Sequence, residues 1–127
     1  YRVQGRTAEQ AKRLIEDAKL LEDAGAFAIV LELVPREVAQ MITDELSIST
    51  IGIGAGLGCD IQVLVLHDLV GMTFGRQPRF VRQYANVRDV MTDAIQNWAR
   101  DVRSGAYPAD AESYGLTEET LSELRKS

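Results

Sequence analysis

The sequence predicts an α/β fold, a fragment of parallel sheet covered by helices, and three observations carry that expectation. Apolar stripes at helical spacing alternate with short apolar runs of strand length, in the order helix, strand, helix, strand. The run at residues 26–34 is apolar on both faces, the habit of strands buried on two sides in parallel sheets. Pro35 follows it at once, and proline suits the first turn of a new helix.

Each element has its own signal. Thr7 followed by Gln10 fits a capping box, and Ala8, Ala11, Leu14, Ile15, Ala18 and Leu21 form the stripe of a first helix that Gly25 stops. Charged Lys12, Glu16, Asp17 and Lys19 mark its solvated face. In the run at 26–34, Phe27, Ile29, Leu31 and Leu33 fall on one face; Ala28 and Val30 share the other with Glu32. Val38, Met41, Ile42 and Leu46 stripe the second helix. Residues 50–56 read as a strand entering a glycine-rich loop, and 61–67 as another strand. Their link is short, and a parallel crossover normally needs a dozen residues or more, so pattern alone favours an antiparallel hairpin there. Pro78 opens a short helix through Tyr84. A longer helix spans 87–104, with Val87, Val90, Met91, Ala94, Ile95, Trp98 and Val102 as its core stripe and Gly105 as its stop. Thr117, with Glu118 and Glu119 behind it, starts a last short helix whose tail, 125–127, frays.

Composition narrows the function classes. The chain has 127 residues, 46% hydrophobic and 26% charged, the profile of one ordinary globular domain. Its 14 basic and 19 acidic residues give no electrostatic case for nucleic acid. No apolar stretch approaches the roughly 20 residues of a membrane-spanning helix. A single cysteine, Cys59, excludes an internal disulfide, and a single histidine, His67, leaves little for a structural zinc site. A reducing cytoplasm fits, as would a cysteine-poor secreted protein. The opening Tyr1-Arg2-Val3 has no initiator methionine and is not a signal peptide. Three strands make a poor closed structure, so the expectation is part of a larger domain.

Glu32 is the leading chemical candidate. A carboxylate among Ile29, Val30, Leu31, Leu33 and Val34 is desolvated unless compensated, and burial favours its neutral form. Such a glutamate suits proton transfer near neutral pH, and active sites of parallel α/β folds form at the C-terminal ends of strands. The alternative is a strand-end glutamate that reaches water or a lysine. The glycines at 52, 54, 56 and 58 allow a substrate close to the backbone or a tight turn; their spacing is neither a dinucleotide fingerprint nor a P-loop. His67-Asp68 fits a proton shuttle, a metal ligand or a hydrogen-bonded structural pair. Cys59 reads as a structural thiol. Arg76, Arg79 and Arg82 read as a solvated or interface face.

Several motifs occur together and in register: Tyr-Arg-Val-Gln-Gly-Arg-Thr (1–7), Glu-Asp-Ala-Gly-Ala-Phe-Ala-Ile-Val-Leu-Glu-Leu-Val-Pro (22–35), Ile-Gly-Ile-Gly-Ala-Gly (51–56), Cys-Asp (59–60), Gln-Val-Leu-Val-Leu-His-Asp (62–68), Pro-Arg-Phe-Val-Arg-Gln-Tyr-Ala (78–85) and Val-Arg-Ser-Gly-Ala-Tyr-Pro (102–108). Over 1–114 the sequence resembles the C-terminal half of the 3-methyl-2-oxobutanoate (ketopantoate) hydroxymethyltransferase family. The resemblance implies a (β/α)₈ barrel, which needs about 250 residues. Units six to eight would lie here, their strands ending at Glu32, Gly54 and His67, with 115–127 as a helical extension. In that frame the short link from Gly54 to Ile61 is a reduced parallel crossover rather than a hairpin.

The implied chemistry is hydroxymethyl transfer from 5,10-methylenetetrahydrofolate to 3-methyl-2-oxobutanoate, giving ketopantoate in pantothenate synthesis. Glu32 would be the base, and Gly54, Val63 and Val65 are the candidates for substrate contact. Family magnesium would be held through the keto acid by ligands in an N-terminal half absent from this sequence, so Asp60 and Asp68 are not metal ligands. A cytoplasmic homo-oligomer, commonly a decamer, is implied as well. Two departures stand out: Ile61 where the family usually has glycine, and Ala111-Glu112-Ser113-Tyr114 where Glu-His-Ser-Phe is usual. Two other readings stay open: a non-catalytic half-barrel assembly module, and another metal-assisted keto-acid lyase on the same barrel.

Overall fold

A computed structural model describes residues 3–126; Tyr1 and Arg2 of the opening motif and Ser127 of the tail lie outside the described residues. The chain divides into two compact units, Tyr1–Asn86 and Val87–Ser127.

The first unit is α/β. Its elements are α1 (Ala8–Asp23), β1 (Ala28–Glu32), α2 (Arg36–Glu45), β2 (Ser49–Ile53), β3 (Ile61–Gln62) and a single-turn helix α3 (Leu66–Leu69). The Thr7 hydroxyl accepts the Gln10 N–H at 3.2 Å, while the Gln10 side chain reaches back to the N–H of Arg6 at 3.1 Å, one residue before the cap. Helix α1 ends in a Schellman motif: Gly25 has φ +95°, its N–H donates to Glu22 O, and Ala26 N–H donates to Leu21 O. Pro35 precedes α2 as its N-cap residue, one position earlier than the sequence implies.

The sheet has the order β1-β2-β3 and both pairings are parallel. The antiparallel hairpin favoured by local pattern is therefore wrong, and the reduced parallel crossover is what forms. Ala28 pairs with Ser49 and Glu32 with Ile53; Ile51 pairs with Ile61. The predicted strand at 61–67 is also corrected. Gly54, at φ +65°, turns β2 away, so the ladder beyond Gln62 gains only the Val63 N–H bond to Gly52 O before the chain coils into α3. His67 thus lies in a helical turn, not at a strand end.

Among the described residues only one face of the sheet is covered. Ile29 and Leu31 of β1 and Thr50 of β2 turn toward α1 and α2, where Ala18, Val34, Val38, Ala39, Ile42, Ala55 and Cys59 complete the core. The opposite face carries Val30, Glu32, Ile51, Ile53 and Ile61, with Val30 60% exposed and Ile61 46% exposed. Among the described residues β1 is buried on one side, not two. Glu22 in the last turn of α1 ties the layers together: its carboxylate accepts the Ser47 hydroxyl at 2.5 Å, the Ser47 N–H at 2.8 Å and the Ile48 N–H at 3.1 Å, anchoring the entry to β2.

The helix expected at 78–84 does not form. Its backbone is used elsewhere: Val81 N–H closes one turn onto Pro78 O, and Tyr84 N–H donates to Leu69 O, tying the segment to α3.

The second unit contains α4 (Val87–Ser104), a 3₁₀ turn (Asp110–Glu112) and α5 (Glu118–Lys126). The bounds of α4 agree with the sequence, and Gly105 stops it at φ +75°. Its stripe is not core, however: Val90, Ile95 and Trp98 are exposed, and no residue of α4 is buried. A unit this small has too little apolar surface to enclose a large stripe; Tyr107 packs edge-on against Trp98, with ring centroids 6.5 Å apart. Thr117 caps α5 through the Thr120 N–H, and the helix takes in Arg125 and Lys126, two of the three residues expected to fray; Ser127 lies outside the described residues.

Candidate active site

The site is built at the C-terminal ends of β1 and β2. Glu32 closes β1 opposite Ile53, on the open face of the sheet. Its apolar neighbours do not enclose it: Ile29 and Leu31 point the other way into the core, and Val30 beside it is itself exposed. Glu32 is exposed and accepts no hydrogen bond from any described residue. The desolvation read from the sequence is therefore not supplied by the described residues.

Leu33 makes the corner. It holds φ +54°, the only described non-glycine residue with positive φ, a conformation that costs an L-residue of order 1–2 kcal/mol. Two backbone bonds fix it: Leu33 N–H donates to Ile53 O at 3.0 Å, and Leu33 O accepts the Gln4 N–H at 3.0 Å. The corner sends Val34 into the core and Pro35 to the start of α2, and leaves the Glu32 carboxylate on the opposite face.

A cleft of about 1030 Å³ opens beside this corner. Leu33, Val34 and Pro35 form one wall, the Gly54–Leu57 turn another, and the segment 76–80 a third. Two glycines are required there. A Cβ on Gly54 would stand 2.9 Å from Phe80 Cγ and 3.2 Å from Leu33 Cδ2, and one on Gly56 would stand 2.4 Å from Arg36 Cβ. The Gln62 side chain braces the turn by donating to Gly56 O at 2.8 Å.

The other sequence candidates are dispersed. Gly54 lines the cleft; Val63 and Val65 do not, being half-exposed on the link between β3 and α3. Asp60 belongs to the fold: its Oδ2 accepts the Thr50 N–H at 2.8 Å and the Thr50 hydroxyl at 3.2 Å. Asp68 Oδ1 accepts the Thr73 hydroxyl at 2.5 Å. Cys59 is buried against Gly52, whose missing side chain makes room for its sulfur. His67 is exposed on α3. Among the described residues no three of His, Cys, Asp and Glu converge as a metal site.

Sequence reading missed the cleft's basic rim. Arg36, Arg76 and Arg79 line it with Phe80, while Arg82, grouped with the last two by sequence, does not. Residues 71–86 have no periodic pattern that would have placed Arg76 and Arg79 beside Arg36.

Comparison with known proteins identifies the family of the chain. The family model described as ketopantoate hydroxymethyltransferase matches residues 1–110. The 3-methyl-2-oxobutanoate hydroxymethyltransferase of Clostridioides difficile (strain 630) is 52% identical over 124 residues, covering 98% of this chain and 45% of the relative. The protein of the same name from Streptomyces coelicolor is 57% identical over 113 residues, covering 89% of this chain and 39% of the relative. That from Halalkalibacterium halodurans is 48% identical over 124 residues, covering 98% and 44%. The chain thus spans less than half the length of these curated relatives.

Proposed function

The chain belongs to the ketopantoate hydroxymethyltransferase family, and from that premise we propose that it carries the proton-transfer half of the site that converts 3-methyl-2-oxobutanoate to ketopantoate, with 5,10-methylenetetrahydrofolate as the one-carbon donor. The observation that carries the reading is Glu32: a carboxylate without a partner among the described residues, at the C-terminal end of a parallel strand, where enzymes of this architecture assemble their chemistry.

In this reading β1, β2 and β3 are the sixth to eighth strands of a (β/α)₈ barrel. The open face bearing Val30, Glu32, Ile51 and Ile53 is its interior, which the remaining strands would close. Glu32 takes the proton from the carbon next to the keto group; that carbon bonds to the donor's methylene carbon, both methylene C–N bonds break, water supplies the hydroxyl oxygen, and the proton from the keto acid and one from water end on the two nitrogens of the released tetrahydrofolate. Among the described residues nothing holds this carboxylate, so it has no bond to give up before it accepts a proton from the open face. Val30 and Ile53 beside it give an apolar surface for the branched keto-acid side chain.

Magnesium, which the resemblance implies, is not fitted by the described residues of this chain. Asp60 and Asp68 are committed to Thr50 and Thr73, and Glu32 must stay free to accept a proton. What the chain itself supplies is the base and the walls around it.

The test is deuterium exchange from solvent into 3-methyl-2-oxobutanoate, without folate, by the full-length protein containing this chain. Glu32→Gln keeps the shape and removes the base, so exchange should fall by about 10²–10⁴, the usual contribution of a positioned base. Exchange at the wild-type rate in the variant removes Glu32 from this role.

A further inference from the structure

The cleft beside Leu33 is not the Glu32 face, and its chemistry differs. Of its fourteen lining residues none is Asp or Glu and three are arginine, in a chain whose net charge is −5. Arg36 is held by Glu37, Nε to Oε1 at 2.8 Å. Arg76 and Arg79 are exposed and have no ion-pair or hydrogen-bond partner among the described residues. Between the arginines run apolar and flat surfaces: Val34, Pro35, Leu57, Pro78 and Phe80. A volume of about 1030 Å³ is far more than a five-carbon keto acid fills, and lies at the upper end of pockets that hold cofactor-sized ligands. The cleft nevertheless abuts the reaction centre, because Leu33, its wall residue, directly follows Glu32, and Gly54, on the opposite wall, directly follows Ile53, the partner of Glu32.

A ligand suited to this cleft is long, aromatic along its body, anionic at its far end, and reactive where it meets the Glu32 face. Resting on the reaction proposed above, we infer that the cleft holds the glutamate end of the folate donor, with the α- and γ-carboxylates of the glutamate on Arg76 and Arg79 and the p-aminobenzoyl ring against Pro78 and Phe80. Guanidinium groups bind carboxylates through paired N–H donors, and the proline and phenylalanine surfaces give the ring apolar contact. Arg76 and Arg79 are binding residues for the donor, remote from the proton transfer.

The discriminating experiment is equilibrium binding of two probes to the full-length protein: 5-formyltetrahydrofolate, and 5-formyltetrahydropteroate, which differs only by lacking the glutamate. The unmutated protein should prefer the first by about tenfold or more, the range of one or two charge-assisted hydrogen bonds. Arg76→Gln with Arg79→Gln should erase most of that preference by weakening the folate probe and leaving the pteroate probe unchanged. Both arginines are exposed and bond to no described residue, so folding is not at stake; the comparison of the two probes on unmutated protein needs no variant at all. Equal affinity for the two probes, or a preference that survives the double substitution, overturns the assignment. Failure of the underlying reaction is read separately, as absence of keto-acid deuterium exchange by the unmutated protein.

Discussion

Thr50, the second residue of β2, is fully buried, and replacing it with valine tests whether the polar knot beneath the glycine turn holds the sheet together. Its hydroxyl lies 2.8 Å from the Thr43 hydroxyl and 3.2 Å from Asp60 Oδ2, and accepts the Asp60 N–H at 3.2 Å. Thr43 also bonds Ala39 O at 2.9 Å, so two hydroxyl protons serve three contacts and not every bond is fully formed at once. Valine has the same shape and opens no cavity, which isolates the hydrogen bonds. Thr43 keeps Ala39 O, and the Asp60 carboxylate keeps the Thr50 N–H at 2.8 Å; the group left without its partner is the Asp60 N–H. Asp60 is exposed, so water can replace part of what its N–H loses; two bonds at a net of about 0.5–1.5 kcal/mol each put the destabilisation by Thr50→Val at about 1–3 kcal/mol. The assay is urea unfolding of the full-length protein followed by circular dichroism, with the slope unchanged and the midpoint lowered. Thr50→Val and Asp60→Ala should couple in a double-mutant cycle, since each removes what the other bonds. A loss below about 1 kcal/mol, with no coupling, would refute the view that this knot pins β2 to the turn.

Glycine tolerance should follow local crowding. Gly25→Ala meets open space at φ +95° and should cost about 1–2 kcal/mol for the backbone alone, whereas Gly54→Ala at φ +65° must also displace Phe80 and should cost about 1–3 kcal/mol more; comparable thermal midpoints for the two would contradict the crowding argument. The Glu22 carboxyl is held below its ordinary pKa of 4.5, first by the Ser47 hydroxyl and then by the backbone N–H groups of Ser47 and Ile48. A depressed carboxylate contributes stability that is full above its unfolded value and lost as pH falls through the folded one. Glu22→Gln should therefore be less stable than wild type near neutral pH, and the difference should shrink as pH drops below 4.5; a gap that is constant down to strongly acidic pH would disprove the linkage.

What could be read from the sequence was what neighbouring residues decide among themselves. The Thr7 cap, the Schellman ending at Gly25 and the limits of α4 are set within a few residues, and all three were legible. The type and place of Glu32 were legible because strand and proline adjoin it. Its exposure was not, because burial depends on what covers the second face of β1, and no pattern within β1 states that. The length of β3 failed for a similar reason: Ile61, Val63 and Val65 alternate like a longer strand, but a strand extends only as far as its partner, and β2 turns away at Gly54. The cleft was out of reach altogether. Arg76, Arg79 and Phe80 come from a stretch without helix or strand, positioned by bonds such as Tyr84 N–H to Leu69 O that leave no periodic trace.

The parallel order β1-β2-β3 also sets a timetable for assembly. Joining Ile51 to Ile61 closes a loop of about 10 residues, an event of about 10–100 ns in a free chain. Joining Ala28 to Ser49 must wait until α2 has wound and folded back, about 0.1–1 μs for the helix alone. The quick pairing is two residues long and too brief to persist unaided; the slow one is five residues long and has α1 and α2 packed on its back. By these rates a chain refolding from denaturant would sample β2 with β3 many times before α2 docks, and the docking of α2 would convert the short-lived contact into a permanent edge.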